Sequence, residues 1–277
     1  MSFRPSRMLV SDLDGTLLFK DRPIHRQEIE AFDRLEQEGT LRVIATGRAW
    51  GSVKKILSPD FPVDYVIFSS GAGVVEWKTQ KLLVSHNLTP DEVSQACETF
   101  YDYDLDFMLH DPLPRARPFL YSRGQGANPD FDARLESLAP HGTPFTWELR
   151  HRPASQLIAI VPSRDLVFPF EELKKELQGM AVLRSTSPLD NRSLWIEVCS
   201  AHATKSNGAK WVADRYGIHR AEILAVGNDF NDWDLLNWAG SAYVMDNAPV
   251  ALREEFESVS SLHGVGVSQA IGHWLDR

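Results

Sequence analysis

The sequence lacks the features that mark several large classes of protein. No stretch of about 18 apolar residues could cross a bilayer, and the first 20 residues lack the apolar core of a secretory signal. Only two cysteines occur, and the chain has no C-x-x-C, H-x-H or H-E-x-x-H pattern. We therefore expect a cytoplasmic protein that binds no membrane and holds no zinc.

The sequence also lacks an excess of basic residues. Its 29 Lys and Arg against 38 Asp and Glu give a formal net charge of −9, and an acidic chain is a poor ligand for nucleic acid or anionic lipid. Hydrophobic residues make up 43% and charged residues 24%, which is the balance of an ordinary globular protein. Small molecules or proteins are therefore the expected partners, and nucleic acid is not.

Short apolar runs alternate with helical patterns towards both ends of the chain. Buried strands are predicted over residues 7–11, 41–45, 65–68, 194–198, 223–226 and 242–245. Helices are predicted between most of them, and this alternation is typical of an α/β fold with a parallel sheet. In such folds the functional groups lie at the carboxyl ends of the strands.

The middle of the chain follows a different pattern. A helix is predicted after the capping box that begins at Thr89, and short strand patterns follow, one of them over residues 146–149. Pro- and Gly-rich turns separate these pieces. We interpret residues 86–189 as an α+β unit inserted into an α/β core that residues 1–85 and 190–277 form together.

Polar side chains follow the predicted parallel strands at the points where they end. They are Asp12 and Asp14 after the first strand, Thr46 after the second, Asn228, Asp229 and Asp232 after a later one, and Lys205 at the start of a helix. Paired carboxylates at a strand end suit Mg²⁺, which prefers oxygen ligands and keeps waters that a phosphate can replace. One carboxylate can attack phosphorus while the other handles the proton, and a metal and a lysine neutralise the transferred group. The pattern therefore predicts phosphoryl-transfer chemistry.

The same residues form an ordered set of motifs. D-x-D-G-T at residues 12–16, then Thr46, then Lys205, then Gly227–Asp232 resemble the four motifs of haloacid dehalogenase-like phosphohydrolases. The runs Ser70-Gly71-Ala72, Lys205-Ser206-Asn207-Gly208 and Asn247-Ala248 resemble the Cof-type branch, whose α+β cap is inserted between the second and third motifs. The resemblance implies a Rossmann-like parallel-sheet core with an inserted cap that sets substrate specificity. It also implies an Mg²⁺-dependent phosphatase for a small phosphorylated metabolite, with sugar phosphates as the expected class.

The resemblance also implies a role for each motif residue. Asp12 would attack the phosphorus and form an aspartyl-phosphate, and Asp14 would protonate the leaving oxygen and then activate water. Thr46, Gly47 and Lys205 would hold the phosphoryl oxygens. The metal would be bound by Asp12, by the backbone carbonyl of Asp14 and by the fourth motif, which contributes Asn228, Asp229 and Asp232.

The fourth motif departs from the family's common form, G-D-x-x-N-D, because Asn228 stands where the first Asp is usual. An amide oxygen can bind Mg²⁺ but brings no charge, so either the site is one charge weaker or Asp229 compensates. Asp232 would then fix waters or Lys205. Two alternatives to the phosphatase are a sugar phosphomutase and a non-catalytic sugar-phosphate-binding regulator, and Asn228 is the sequence feature that favours the regulator.

The predicted cap contains polar side chains that suit a phosphorylated polar substrate. The candidates for substrate contact are His110, Arg117, Tyr121 and Arg123, together with Asn191 where the chain re-enters the core. Cations and hydrogen-bonding groups are expected there because such a substrate is anionic and polar.

Overall fold

The chain folds as two units, each built around its own β-sheet. The structure is a computed structural model that describes residues 5–20, 22–115, 118–162 and 167–276. Residues 1–84 and 204–277 belong to the first unit, and residues 85–203 belong to the second. Within the described residues, no helix has the length and apolar character that crossing a membrane requires.

Fourteen strands and nine helices have defined bounds in the described part of the chain. The strands are β1 (Arg7–Ser11), β2 (Thr40–Ala45), β3 (Tyr65–Phe68), β4 (Gly73–Glu76), β5 (Lys81–Ser85), β6 (Asp106–His110), β7 (Phe119–Ser122), β8 (Gly142–Pro144), β9 (Gln156–Val161), β10 (Met180–Thr186), β11 (Leu194–Ser200), β12 (Ile223–Gly227), β13 (Ser241–Met245) and β14 (Glu257–Val259). The helices are α1 (Arg26–Gln37), α2 (Trp50–Ile56), α3 (Pro90–Asp102), α4 (Pro129–Leu138), α5 (Phe170–Glu176), α6 (Lys205–Tyr216), α7 (Trp233–Trp238), α8 (Val250–Glu255) and α9 (Gly266–Leu275).

Eight strands form the sheet of the first unit, in the order β14-β13-β12-β1-β2-β3-β4-β5. The strands from β14 to β3 run parallel, and β4 is antiparallel to β3. The central strands β2 and β12 are buried along their whole length, as expected for parallel strands that are covered on both faces. This sheet confirms the predicted α/β fold class. Its parallel direction brings the carboxyl ends of β1, β2 and β12 to one edge.

Six strands form the sheet of the second unit, in the order β10-β11-β9-β6-β7-β8, and all pairs except β7 with β8 are antiparallel. Leu157 and Ala159 of β9 pack on one face, in a core that includes buried residues of α3 and α5. Ile158 and Ile160 pack on the opposite face, against Phe131 of α4. The unit is therefore a mixed α+β structure with helices on both faces of its sheet.

Two sequence predictions about this part of the chain are wrong. The strand predicted at 194–198 is part of β11, which pairs antiparallel with β9 and β10, so the chain returns to the first unit at residue 204 and not at 190. Nearly all of β11 is buried, and a continuous apolar run does not distinguish the two kinds of sheet. Residues 147–150 form a turn of 3-10 helix with no buried side chain where a strand was predicted at 146–149.

Candidate active site

Three loops meet at the carboxyl edge of the parallel sheet because their strands are neighbours. Asp12 follows β1, and its backbone N–H donates to the carbonyl of Val226 in β12 at 2.9 Å. Thr46 follows β2, and its N–H donates to the carbonyl of Ile67 in β3 at 2.8 Å. These bonds extend the strand ladders past the strand ends, so the loop residues keep a fixed position at the edge.

The ammonium of Lys205 lies between two buried carboxylates. Its Nζ donates to Asp12 Oδ1 at 2.7 Å and to Asp232 Oδ1 at 2.5 Å, and the lysine is 0% exposed. Burial alone would lower the pKa of Lys205, but the two carboxylates hold that pKa above its ordinary value. The residue is therefore a fixed buried cation that orients Asp12.

The carboxyl group of Asp12 is difficult to ionise in this setting. Burial raises the pKa of Asp12 from 3.8 to about 7, Lys205 opposes the rise, and the charges of Asp232 and Asp14 add to it. Two carboxylates thus share one ammonium, which leaves a negative charge that a further cation would stabilise.

The turn after β3 positions the start of helix α6, where Lys205 lies. Ser69 and Ser70 are buried and have φ of 47° and 53°, a left-handed conformation that costs energy in non-glycine residues. Gly71 follows with φ of 109°, and a Cβ at this position would lie 2.3 Å from the carbonyl oxygen of Thr204. Thr204 itself caps α6 with its side chain. The run Ser70-Gly71 therefore allows the turn to pack directly against the residue that precedes Lys205.

Arg48 is a site residue that the sequence reasoning missed. Its Nε donates to Asp14 Oδ2 at 2.6 Å, and its Nη2 donates to Asp14 Oδ1 at 2.5 Å. Its backbone N–H donates to Thr46 Oγ1 at 3.1 Å, across the half-buried Gly47. The strand-end run Thr46-Gly47-Arg48 was the available signal, since it places a cation two residues after the predicted phosphate-binding hydroxyl.

Asn228 lies directly against the loop that carries the two catalytic candidates Asp12 and Asp14. Thr16 Oγ1 donates to Asn228 Oδ1 at 3.4 Å. A Cβ on Gly15 would lie 2.2 Å from Asn228 Nδ2, and Gly15 has φ of 76°. Only glycine therefore fits at residue 15 while Asn228 stays close to the loop.

The carboxylates of the other two residues in the fourth motif are engaged within their own turn. Asp229 Oδ1 accepts from the backbone N–H of Phe230 at 2.7 Å and caps the turn at 230–232. Asp232 Oδ2 accepts from the backbone N–H groups of Asn228 and Asp229 at 2.9 and 3.2 Å, while its Oδ1 accepts from Lys205. Asp232 therefore connects the loop after β12 to the buried lysine.

The donor set at this edge fits Mg²⁺. No three His, Cys, Asp or Glu side chains in the described ranges are grouped so that they could hold a metal ion. The loops nevertheless offer the Asp12 carboxylate, the Asp14 carbonyl and the Asn228 amide oxygen, and the two buried carboxylates of Asp12 and Asp232 share a single ammonium. A hard cation that takes oxygen ligands and retains several waters suits such a set.

Four of the predicted substrate residues lie in the second unit: His110, Tyr121, Arg123 and Asn191. The fifth, Arg117, lies outside the described residues. His110 ends β6 and is 4% exposed. Tyr121 lies in β7 and is half-buried. Asn191 lies in the turn before β11 with φ of 56°.

Arg123 is held by contacts within the second unit. Its Nη1 lies 2.8 Å from Asp132 Oδ1, and its Nε lies 3.6 Å from Asp106 Oδ1. Its guanidinium also lies over the ring of Phe131, 5.1 Å from the ring centroid. These contacts give Arg123 a structural role between β7 and α4.

The chain is similar to known proteins over almost its whole length. The family model for haloacid dehalogenase-like hydrolases matches residues 9–271. The 5-amino-6-(5-phospho-D-ribitylamino)uracil phosphatase YwtE of Bacillus subtilis (strain 168) is 27% identical over 269 residues, which cover 90% of this chain and 91% of the relative. The HMP-PP phosphatase of Cronobacter sakazakii (strain ATCC BAA-894) is 25% identical over 277 residues, which cover 98% and 96%. The solved structure of the HAD subclass IIB sugar phosphatase BT4131 shares the fold, with a TM-score of 0.77, 17% identity and coverage of 97% and 98%.

Proposed function

The chain belongs to the haloacid dehalogenase-like hydrolases and is a phosphatase of their Cof-type branch. We propose that it hydrolyses small sugar phosphates and that this reaction requires Mg²⁺. The observation that supports this most directly is the buried cluster of Asp12, Lys205 and Asp232. A lysine that fixes a carboxylate beside an oxygen-rich loop provides a nucleophile and a cation for a phosphoryl group. Relatives named for phosphatase activity on small phosphorylated molecules support a substrate of that coarser class.

Asp12 is the proposed nucleophile. One carboxylate oxygen bonds to phosphorus as the ester oxygen leaves, which gives an aspartyl-phosphate and an alcohol. Water then hydrolyses this acyl phosphate, which releases inorganic phosphate and restores the carboxylate. Lys205 orients Asp12 through Oδ1, and two of its three N–H donors go to carboxylates, so the third is available to a phosphoryl oxygen.

Asp14 is the proposed acid for the leaving oxygen and the base for the attacking water. Arg48 donates a hydrogen bond to each carboxylate oxygen of Asp14. One of these oxygens must therefore leave Arg48 before it can contact the leaving oxygen of the substrate or the attacking water. The two side chains are 34% and 30% exposed, and exposed pairs of this kind exchange at little cost.

The remaining loop residues bind phosphate and metal in this proposal. The Thr46 hydroxyl and the Gly47 N–H hold phosphoryl oxygens together with Lys205. Asp12, the Asp14 carbonyl and Asn228 would hold Mg²⁺, which when bound neutralises charge on the phosphoryl group. We assign Asp229 and Asp232 to ordering the loop, because their carboxylates accept backbone N–H groups of their own turn.

We assign substrate selection to the second unit, residues 85–203. The residues proposed for chemistry and for metal binding all belong to the first unit. Residues 190–203, which the sequence assigned to the core, are included because β11 belongs to the second sheet.

Asp12→Asn tests the proposal because it keeps the size of the side chain and removes the nucleophile. We expect the variant to release no phosphate from p-nitrophenyl phosphate or from a panel of sugar phosphates, with Mg²⁺ or with EDTA, and to keep its circular dichroism spectrum. Asp33→Asn on the exposed side of α1 is the matched control. Undiminished turnover by Asp12→Asn would overturn the mechanism.

The same assay of the wild type tests the two alternative functions. Release of inorganic phosphate in step with loss of the sugar phosphate would exclude a sugar phosphomutase. Binding of a sugar phosphate without turnover would favour a non-catalytic sugar-phosphate-binding regulator.

A further inference from the structure

The carbonyl of Gly15 accepts a hydrogen bond from a loop that follows a different strand of the same sheet. Asn247, in the turn after β13, donates from its Nδ2 to this carbonyl oxygen at 3.1 Å. Both residues belong to the first unit, where β12 lies between β13 and β1. Gly15 directly follows Asp14, so the contact connects a separate loop to the chain beside the proposed acid and base.

The turn that carries Asn247 is held on both sides of this residue. The backbone N–H of Asp246 donates to the carbonyl of Val259 at 2.8 Å, which continues the pairing of β13 with β14. Ala248 is 3% exposed and packs in the core of the first unit, and its N–H donates to the carbonyl of Met245 at 3.0 Å. Asn247 therefore extends from a fixed turn, although the residue itself is exposed.

The backbone at Gly15 needs such a contact more than the backbone at other residues does. Its φ of 76° lies in the left-handed region, and glycine restricts its own φ and ψ least of all residues. The N–H of Gly15 donates to the carbonyl of Leu18 at 2.8 Å, which holds the peptide unit shared with Asp14. Asn247 holds the next peptide unit through the Gly15 carbonyl. The two bonds together limit the movement of the backbone beside Asp14.

The contact of Asp14 with Arg48 is not sufficient to hold Asp14 throughout the proposed reaction. One carboxylate oxygen of Asp14 must leave Arg48 before proton transfer, and at that point the backbone determines where the carboxyl group lies. The bond from Asn247 is not broken in this exchange, because it goes to the backbone of the next residue. A carboxamide donates an N–H and carries no charge, so it holds the loop without adding a charge beside the carboxyl group.

We infer that Asn247 is a positioning residue for Asp14. The inference rests on the proposed phosphatase function, in which Asp14 protonates the leaving oxygen. It also gives a role to the run Asn247-Ala248, which the proposed mechanism does not use: Ala248 anchors the turn in the core, and Asn247 donates to the loop after β1. Loss of the contact should impair protonation of the leaving oxygen more than attack on phosphorus.

Asn247→Ala and Asn247→Leu test this inference, because both remove the donor and the second keeps about the same volume. A sugar alkoxide is a poor leaving group that needs a proton as it departs, whereas p-nitrophenolate departs without one. For ribose 5-phosphate, glucose 6-phosphate or erythritol 4-phosphate, whichever the wild type hydrolyses fastest, we expect kcat/KM to fall about tenfold at saturating Mg²⁺. The kcat/KM for p-nitrophenyl phosphate should stay within about twofold, because this ratio reports only the steps up to release of the first product.

Asn237→Ala is the matched control. Asn237 is also exposed, and its Nδ2 also donates to a backbone carbonyl, that of Trp233 in α7, at 2.9 Å. This variant should change neither kcat/KM value.

Two results with the Asn247 variants would overturn the inference. One is an unchanged kcat/KM for the sugar phosphate in both variants. The other is an equal loss on both substrates, since it would indicate disturbed phosphate binding, metal binding or folding. A wild type that hydrolyses no phosphate ester would instead refute the proposed function, and the inference with it.

Discussion

The guanidinium of Arg48 holds the carboxylate of Asp14 in a two-point contact, with N···O distances of 2.6 and 2.5 Å. The two residues lie in the loops that follow β2 and β1, which are adjacent in the sheet. A bidentate pair fixes the plane of the carboxylate as well as its position. Arg48 is therefore placed to control the orientation of the proposed acid and base.

Arg48→Ala is expected to lower kcat about 10- to 100-fold, because Asp14 loses its fixed orientation before proton transfer. Stability should change by less than about 1 kcal/mol, since the pair is partly exposed. Arg48→Lys keeps the charge but not the planar fork, so an intermediate kcat is expected. Steady-state phosphate release and thermal unfolding measure the two effects.

Arg34→Ala is the control for this prediction, because Arg34 in the last turn of α1 forms an exposed ion pair with Glu38, which caps the helix. It should change neither kcat nor stability by a measurable amount. Wild-type kcat in Arg48→Ala would show that Asp14 needs no such contact.

Asn228 gives a prediction about the metal. Asn228→Asp places a carboxylate against the loop that holds Asp12, so the Mg²⁺ concentration for half-maximal activity should fall about 5- to 10-fold. Asn228→Ala removes the amide oxygen and should raise that concentration. Titration of activity with Mg²⁺ after treatment with EDTA measures both changes.

Asp229→Asn distinguishes the role of Asp229 from that of its neighbour Asn228. The Asp229 carboxylate caps the turn at 230–232, so this variant should lose some stability and keep its Mg²⁺ dependence. A larger Mg²⁺ effect in Asp229→Asn than in Asn228→Ala would assign the metal to Asp229 instead.

Local sequence patterns predicted the elements whose cause is local. The apolar run that precedes Asp12 is β1, and the capping box at Thr89 begins α3. Each of these depends on a few consecutive residues, so sequence alone was sufficient. The order of the motifs along the chain likewise predicted which loops carry the polar residues, because parallel strands share one functional edge.

Features that depend on distant residues were not predictable in the same way. The run that forms β11 is buried almost throughout, and its membership of the second sheet depends on β9 and β10. The contact of Arg48 with Asp14 depends on the order of β1 and β2 in the sheet.

Asp130 is a buried carboxylate that holds the second unit together. Trp195 Nε1 donates to its Oδ2 at 2.7 Å, and Ser187 Oγ donates to its Oδ1 at 2.8 Å. Asp130→Asn replaces one acceptor by an N–H donor that faces another donor, so we expect a loss of about 2–3 kcal/mol of stability. Urea unfolding followed by tryptophan fluorescence measures it.

Asp132→Asn on the same helix is the matched control. The Asp132 side chain is 58% exposed and pairs with Arg123 at the surface, so a change below about 1 kcal/mol is expected. If the two variants were equally stable, the buried contacts of Asp130 would contribute nothing measurable.

Glu28 joins two helices that are far apart in the sequence. Its carboxylate accepts from the backbone N–H groups of Val267 and Ser268 at 2.9 and 2.6 Å, at the start of α9. The residue is 0% exposed. Burial raises the pKa of Glu28 from 4.5 to about 7, although the two backbone hydrogen bonds oppose the rise.

This raised pKa predicts how stability changes with pH. Because the folded state binds the Glu28 proton more tightly than the unfolded state does, its contribution is complete below pH 4.5 and is lost as pH rises to about 7. The loss is about 3 kcal/mol at most. Glu28→Gln should therefore flatten the fall in urea-unfolding free energy between pH 5 and 8, leaving the part due to Asp12, whose pKa is raised in the same direction. Glu30→Gln, exposed on the same helix, should keep the wild-type slope, and an identical slope in Glu28→Gln would contradict the prediction.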